Sequence, residues 1–308
     1  MTIHRSVGWL GFHTECDQQQ PTGEVTSIMR ALDPEVVDAV YTAIEPLLPV
    51  PDDDHPLGCH NPRISDRVCF EGVLTRLVVG CSWETAEQLI RYAASDTTLR
   101  ARNNEWVAAG IFDTLADEAI DAYDRIIELD LSECSIDGSQ HKAPCGGPGT
   151  GPNPTDRGRS GWKWSLLADR DGIPFGWTTD GANRHDVILF EPTLAAGQQR
   201  GLIGDIDTMH LDRGYDNGRV RGHVADYRID DLICAKKRAA GTAHGKLPVP
   251  LGMRWPIERT NSWLSNYGQL RRNTDRRIEC RLAQLALAIA LIITIKLIDW
   301  RNRYSPTR

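Results

Sequence analysis

The chain has 308 residues, 41% hydrophobic and 25% charged, the composition of a soluble globular protein with length for two domains. Eight cysteines without a Cys-x-x-Cys pair spell out neither a zinc knuckle nor a thioredoxin-type motif, and the N-terminus carries Asp, Glu and Gln rather than an apolar leader, so reduced thiols in a cytoplasm are expected. The net charge of −7 argues against nucleic acid only as an average: residues 1–130 carry −14 and residues 131–308 carry +7, and 11 of the basic residues lie between Lys236 and Arg281.

Residues 1–60 are loosely patterned. Asp33-Pro34-Glu35 ahead of Val36, Val37, Val40 and Ile44 predicts a capped short helix, and prolines around Asp52-Asp53-Asp54 an irregular acidic connection. From Ser65 the period is helical. One helix ends near Gly80, a second opens at Ser82, a third follows Asp96 as far as Gly110, and a fourth covers Ile111–Leu129. Residues 61–130 therefore read as a small all-helical domain, either helix-turn-helix-like or a structural or dimerising cap. Arg91, Arg100 and Arg102 are its basic candidates for phosphate contact.

At residue 131 the texture changes. Leu131–Asp137 alternates like a strand, and Gly138–Gly161, with seven Gly and four Pro, reads as a loop. That loop carries Lys142, Arg157 and Arg159, and is either a plain surface loop or one that orders on an acidic polymer. Trp162–Ala168 and Ile173–Thr178 form a hairpin around Asp169-Arg170-Asp171-Gly172. A helix from His185 to Gln199, a strand Ile206–Leu211, a helix Asn217–Val224 and a strand Ile229–Ala235 complete a mixed α/β (α+β) layer over residues 131–300. Lys236–Gly252 is a basic connection. Leu282–Ile298, almost continuously apolar, reads as a core helix, with a membrane segment as the alternative; residues 301–308 are a tail.

Three acids stand out. Asp137 and Asp212 fall at the predicted C-terminal ends of strands, and Glu258 in the first turn of a helix that opens Trp255-Pro256-Ile257. Arg254 and Arg259 flank Glu258, and Arg271, Arg272, Arg276 and Arg277 follow. Taken alone, Glu258 is either an acid favoured by a helix N-terminus or a ligand. Strand ends and helix starts gather at the ligand-binding edge of such sheets. Three carboxylates there would repel one another unless joined by a hard cation such as Mg²⁺. Two such ions about 3.5–4 Å apart serve phosphodiester chemistry. Geometry alone leaves both readings open. Asp169, Asp171 and Asp216 read as turn residues and Asp186 as a helix cap, while His141 and His185 lack zinc spacing. No Gly-x-Ser-x-Gly and no Cys–His partnership supports a nucleophile.

Four segments are recognisable in order: Ile136-Asp137-Gly138-Ser139; residues 151–163, Gly-Pro-Asn-Pro-Thr-Asp-Arg-Gly-Arg-Ser-Gly-Trp-Lys; Leu211-Asp212-Arg213-Gly214-Tyr215-Asp216; and Ile257-Glu258-Arg259-Thr260-Asn261-Ser262-Trp263-Leu264. Together they resemble bacterial insertion-sequence transposases of the insertion-sequence-five type, within the DDE transposases. The spacing agrees, with 74 residues between Asp137 and Asp212 and 45 between Asp212 and Glu258. Segment 60–125, marked by Gly80-Cys81-Ser82-Trp83, resembles the helical N-terminal region of the same proteins.

The resemblance implies an RNase H-like catalytic domain and metal-dependent DNA strand cleavage and transfer. Asp137, Asp212 and Glu258 would be both the catalytic acids and the ligands of two Mg²⁺ ions, with Mn²⁺ as a possible substitute. Arg157, Arg159, Lys163, Arg213, Arg254, Arg259, Arg271 and Arg272 would hold DNA. The partners would be the element's terminal inverted repeats and target DNA, bound as a homodimer in the bacterial cytoplasm at the nucleoid. The wider signature Tyr-(2)-Arg-(3)-Glu-(6)-Lys is matched by Arg254 and Glu258 but has Leu251 for Tyr and Ser265 for Lys. Alternatives are an RNase H-like nuclease or resolvase, and a non-catalytic DNA-binding protein derived from a transposase.

Overall fold

The computed structural model describes residues 28–50, 63–234 and 253–304. The expectations for the N-terminal 27 residues, the acidic connection through Asp52–Asp54, the basic connection 236–252 and the last four residues lie outside the described residues. The described residues form two compact units. One holds 28–126, 267–269 and 283–304, and the other 127–234, 253–266 and 270–282.

The first unit is built from helices whose ends are written into the sequence. Helix α1 (Pro34–Ile44) starts with proline at its first position and buries Val36, Val37, Val40 and Ile44. Helices α2 (Asp66–Val79), α3 (Trp83–Leu89) and α4 (Asp96–Ala108) are each preceded by a serine, Ser65, Ser82 and Ser95, whose hydroxyl accepts a first-turn N–H. Each such cap contributes about 1 kcal/mol. Gly80 ends α2 at φ 78°, a left-handed conformation that glycine adopts without penalty. Helix α5 (Ile111–Ile126) follows the break at Gly110. Phe70, Leu74, Leu77, Leu99, Trp106, Phe112 and Leu115 are fully buried.

This unit ties up its basic side chains. Arg102 is buried and paired with Asp66, and the Arg63 guanidinium donates to both Glu105 oxygens. Of the three arginines expected as phosphate contacts here, Arg102 is therefore a structural residue. Its guanidinium is needed inside, where an unpartnered Asp66 would be costly.

In the second unit, β1 (Glu133–Lys142), β2 (Gly151–Pro152), β3 (Ser160–Ala168), β4 (Pro174–Gly181), β5 (Thr208–Leu211) and β6 (Asp231–Cys234) make one mixed sheet. The order is β2-β3-β1-β5-β6, with β4 on β3. β4, β3 and β1 run antiparallel, and β1, β5 and β6 run parallel. Helices α6 (Asp186–Gln199) and α7 (Gly218–Asp226) make the crossovers between the later strands. The β3–β4 turn forms as expected. Asp169 is buried in it, accepting from the N–H groups of Asp171 and Ile173.

Two expectations are revised here. β1 does not stop at Asp137 but runs to Lys142, paired with β3 from Ser135↔Ala168 to Lys142↔Gly161. The glycine at 138 signals a close approach rather than a loop, because a Cβ there would lie 2.8 Å from Asp186 Oδ1. The Gly-rich loop is correspondingly shorter.

Helix α8 (Trp255–Asn266) lies against β1 and β3. A short helix α9 (Gly268–Arg271) and the 27-residue α10 (Ile278–Tyr304) complete the chain. α10 is long and apolar enough to cross a membrane, but 83% of its apolar stretch is buried inside the protein, as a core helix requires.

Candidate active site

Asp137 sits in the middle of the central strand β1. The parallel β1–β5 ladder runs to Ser135↔His210, so Asp137 and Asp212 each lie two residues beyond its last pair, at the same end of neighbouring strands. Asp212 directly follows β5, and its carboxylate accepts the Gly214 N–H, capping a single turn through Tyr215. Glu258 comes from a third element, the first turn of α8. Asn261, one turn further along α8, donates to Asp137 Oδ2 at 3.2 Å, which holds this face of the helix over β1.

The other two acids act on Asp137. Burial pushes the Asp137 carboxyl up to about 6, and the charges of Asp212 and Glu258 push it the same way, against the Gly138 N–H and the Arg254 guanidinium. Arg254 responds in kind. Burial opposes its charge, but Glu258, Asp137 and Asp212 outweigh this and shift it upward. The buried Tyr215 hydroxyl is raised well above its ordinary value, first by burial and then by Asp186, Asp137 and Asp212.

Among the described residues, no group of three His, Cys, Asp or Glu side chains closes into a coordination set. Glu258, half exposed, is instead engaged by Arg254 in an i,i+4 ion pair. Carboxylate oxygens are the donors a hard divalent cation takes, and Asp137, with the charges of Asp212 and Glu258 acting on it, is the acid here that such a cation suits.

The expected DNA-contacting residues divide. Arg157, Arg159, Arg213, Arg271 and Arg272 are exposed. Arg254 is committed to Glu258. Arg259 is half-buried between the rings of Trp255 and Trp263, 4.5 and 4.7 Å from their centroids, and donates to the Asp171 carbonyl at 2.6 Å.

Lys163 is a correction. It is 1% exposed, and its Nζ donates to Asp186 Oδ1 at 2.6 Å and to the Arg184 carbonyl at 2.8 Å. β3 is buried along nearly its whole length, so a lysine in it must find its partner inside. Ser265, where the signature has Lys, donates to the Asn261 carbonyl at 2.6 Å. Sequence reasoning missed Asn261, Trp164 and Tyr215 around the acids. The available signal was Asn261 lying three residues after Glu258, on the same helix face.

Residues 36–116 match the family model described as "Putative transposase of IS4/5 family". The chain is 37% identical over 152 residues to the "Putative transposase for insertion sequence element IS402" of Burkholderia cepacia, covering 48% of this chain and 69% of that protein. It is 28% identical over 121 residues to the "Insertion element IS402 uncharacterized 16.2 kDa protein" of the same organism, covering 39% of this chain and 82% of that protein. Among solved structures, the Mos1 transposase paired-end complex with left transposon end matches 81% of this chain and 82% of its own, at 11% identity and a TM-score of 0.25, too slight a likeness to bear on the fold. The relative at 37% identity and the matched family model together place the chain: it belongs to the insertion-sequence transposases of the IS4/5 type.

Proposed function

We propose that this transposase binds the ends of its own insertion sequence and catalyses Mg²⁺-dependent strand cleavage and strand transfer, using Asp137, Asp212 and Glu258. The observation that supports the reading is the Asp137 carboxyl, which burial raises and on which the charges of Asp212, just after β5, and Glu258, in the first turn of α8, both act. The mixed sheet, antiparallel through β4-β3-β1 and parallel through β1-β5-β6, supports an RNase H-like class for this unit.

Asp137, Asp212 and Glu258 are the residues that would hold Mg²⁺. When bound, Mg²⁺ polarises the phosphodiester and lowers the pKa of water near it. Burial and the neighbouring acids raise the Asp137 carboxyl, and a cation beside it would favour its charged form. Water would cleave one strand, releasing a 3′-OH, and that hydroxyl would displace a second phosphodiester in target DNA. Arg157, Arg159, Arg213, Arg271 and Arg272 would hold phosphates, which positions the duplex without reading its sequence. A homodimer on DNA, in the bacterial cytoplasm at the nucleoid, is the working form in this reading.

The test is a plasmid carrying the element's own ends, incubated with the protein in Mg²⁺ or in EDTA. Nicked and strand-transfer products in Mg²⁺ alone are expected. Nicking without transfer products would make the protein a nuclease or resolvase. End binding with no cutting would make it a non-catalytic derivative.

A further inference from the structure

Besides Glu258, the Asp137 carboxylate has a second neighbour on α8. Asn261 is 7% exposed. Its Nδ2 donates to Asp137 Oδ2 at 3.2 Å, and its Oδ1 accepts the indole N–H of Trp164 at 2.8 Å. Trp164 is fully buried on β3, and His141 stacks on its ring with centroids 3.8 Å apart and planes 16° from parallel. Burial holds His141 neutral, lowered to about 3, so no charge competes on the far side of the indole.

An indole N–H can only donate, and an ionised carboxylate can only accept. The amide between them therefore has one workable orientation. Flipping it would set N–H against N–H and oxygen against oxygen, both buried. The bond that Asn261 gives to Asp137 is thus enforced from behind by Trp164. One buried side chain joins β3, α8 and β1, three elements around the acid cluster. Its own backbone carbonyl is held by Ser265.

We propose that Asn261 is a positioning residue for the metal site. Oriented by Trp164, it fixes the Asp137 carboxylate by committing Oδ2, and it locks the Glu258-bearing helix onto β1. This rests on the reading of Asp137 as a metal ligand. Partners that orient a metal ligand in this way typically govern metal affinity by about 10–100-fold.

Mn²⁺ binding to the full chain, followed by the electron paramagnetic resonance signal of the free ion, tests this without DNA or turnover. Asn261→Leu keeps the branching at Cγ and removes both hydrogen bonds, and it should weaken Mn²⁺ binding about tenfold or more while the protein stays folded by circular dichroism. Trp164→Phe keeps an aromatic ring in the core while losing the rest of the indole and with it the N–H that orients the amide, for a loss of about threefold in a folded variant. The double variant should bind no more weakly than Asn261→Leu alone, because both changes act through one hydrogen bond. Losses that multiply, or wild-type affinity in either folded variant, overturn the assignment. Should Asn261→Leu fail to fold, the Trp164→Phe measurement decides alone. An unmutated chain that binds no Mn²⁺ overturns the metal reading itself, an outcome distinct from unchanged affinity in the variants.

Discussion

In the helical unit, four arginines are each matched to acids. Arg30 grips Asp299 through two hydrogen bonds, Arg67 bridges Asp38 and Glu71, Arg63 holds Glu105, and buried Arg102 meets Asp66. In the sheet unit, Lys163 and Asp186 are matched in the same way, but the acids around Asp137 crowd together with one arginine among them. Arg157, Arg159, Arg213, Arg271 and Arg272 of the same unit face solvent. Charges that are paired one to one hold a fold, whereas charges of one sign gathered on rigid elements create a field that a ligand must complete.

If that contrast is right, the helical unit should depend on packing. Trp106→Ala should cost about 3–5 kcal/mol, measured by chemical denaturation, because the ring is fully buried and its space cannot collapse completely. A loss under about 1 kcal/mol would show that the core is not where this unit's stability lies.

The acid cluster should show the opposite behaviour, with function held at the expense of stability. Asp137 titrates near 6 in the fold against an ordinary value of 3.8, so the folded state favours the protonated form. That contribution is fully present below about pH 4 and is lost as pH rises through 6. Asp137→Asn should therefore raise the melting temperature of the metal-free protein at pH 8, by the equivalent of about 1–3 kcal/mol, and leave it unchanged at pH 4. Equal stabilisation at both pH values would point to packing instead.

The smallest effect belongs to the exposed arginines. Replacing Arg271 and Arg272 by Ala should weaken DNA binding uniformly across sequences and lower the salt-dependence slope by about one for each phosphate no longer neutralised. A change in sequence preference with an unchanged slope would mean that they read bases.

The parts of the fold that were legible from residues are those with local causes. The helix starts at Ser65 and Ser82, the helix end at Gly80 and the Asp169–Gly172 turn depend on chain neighbours and fall where expected, whereas the third helix is capped by Ser95, one residue before the expected Asp96. β1 beyond Asp137 was not legible, because Gly138, Ser139 and Gln140 look like loop until β3 pairs with them and Asp186 presses on position 138. Lys163 was expected on DNA through the resemblance, but β3 has no wet face, so the lysine finds its partner inside. At the site, the three acids come from the family resemblance and not from the residue pattern. Asn261 was not legible, since its role depends on an indole 97 positions away in the chain.

In this reading, DNA is cut only when the Asp137 carboxylate is present. The most direct measurement uses Asp137→Ala on DNA carrying the element's ends in Mg²⁺, with binding followed by gel retardation and nicking followed on the same molecules. Binding should stay within a few-fold of wild type while nicking falls by about a thousandfold or more, the several kcal/mol that metal-assisted charge stabilisation supplies. Wild-type nicking by this variant would contradict the account.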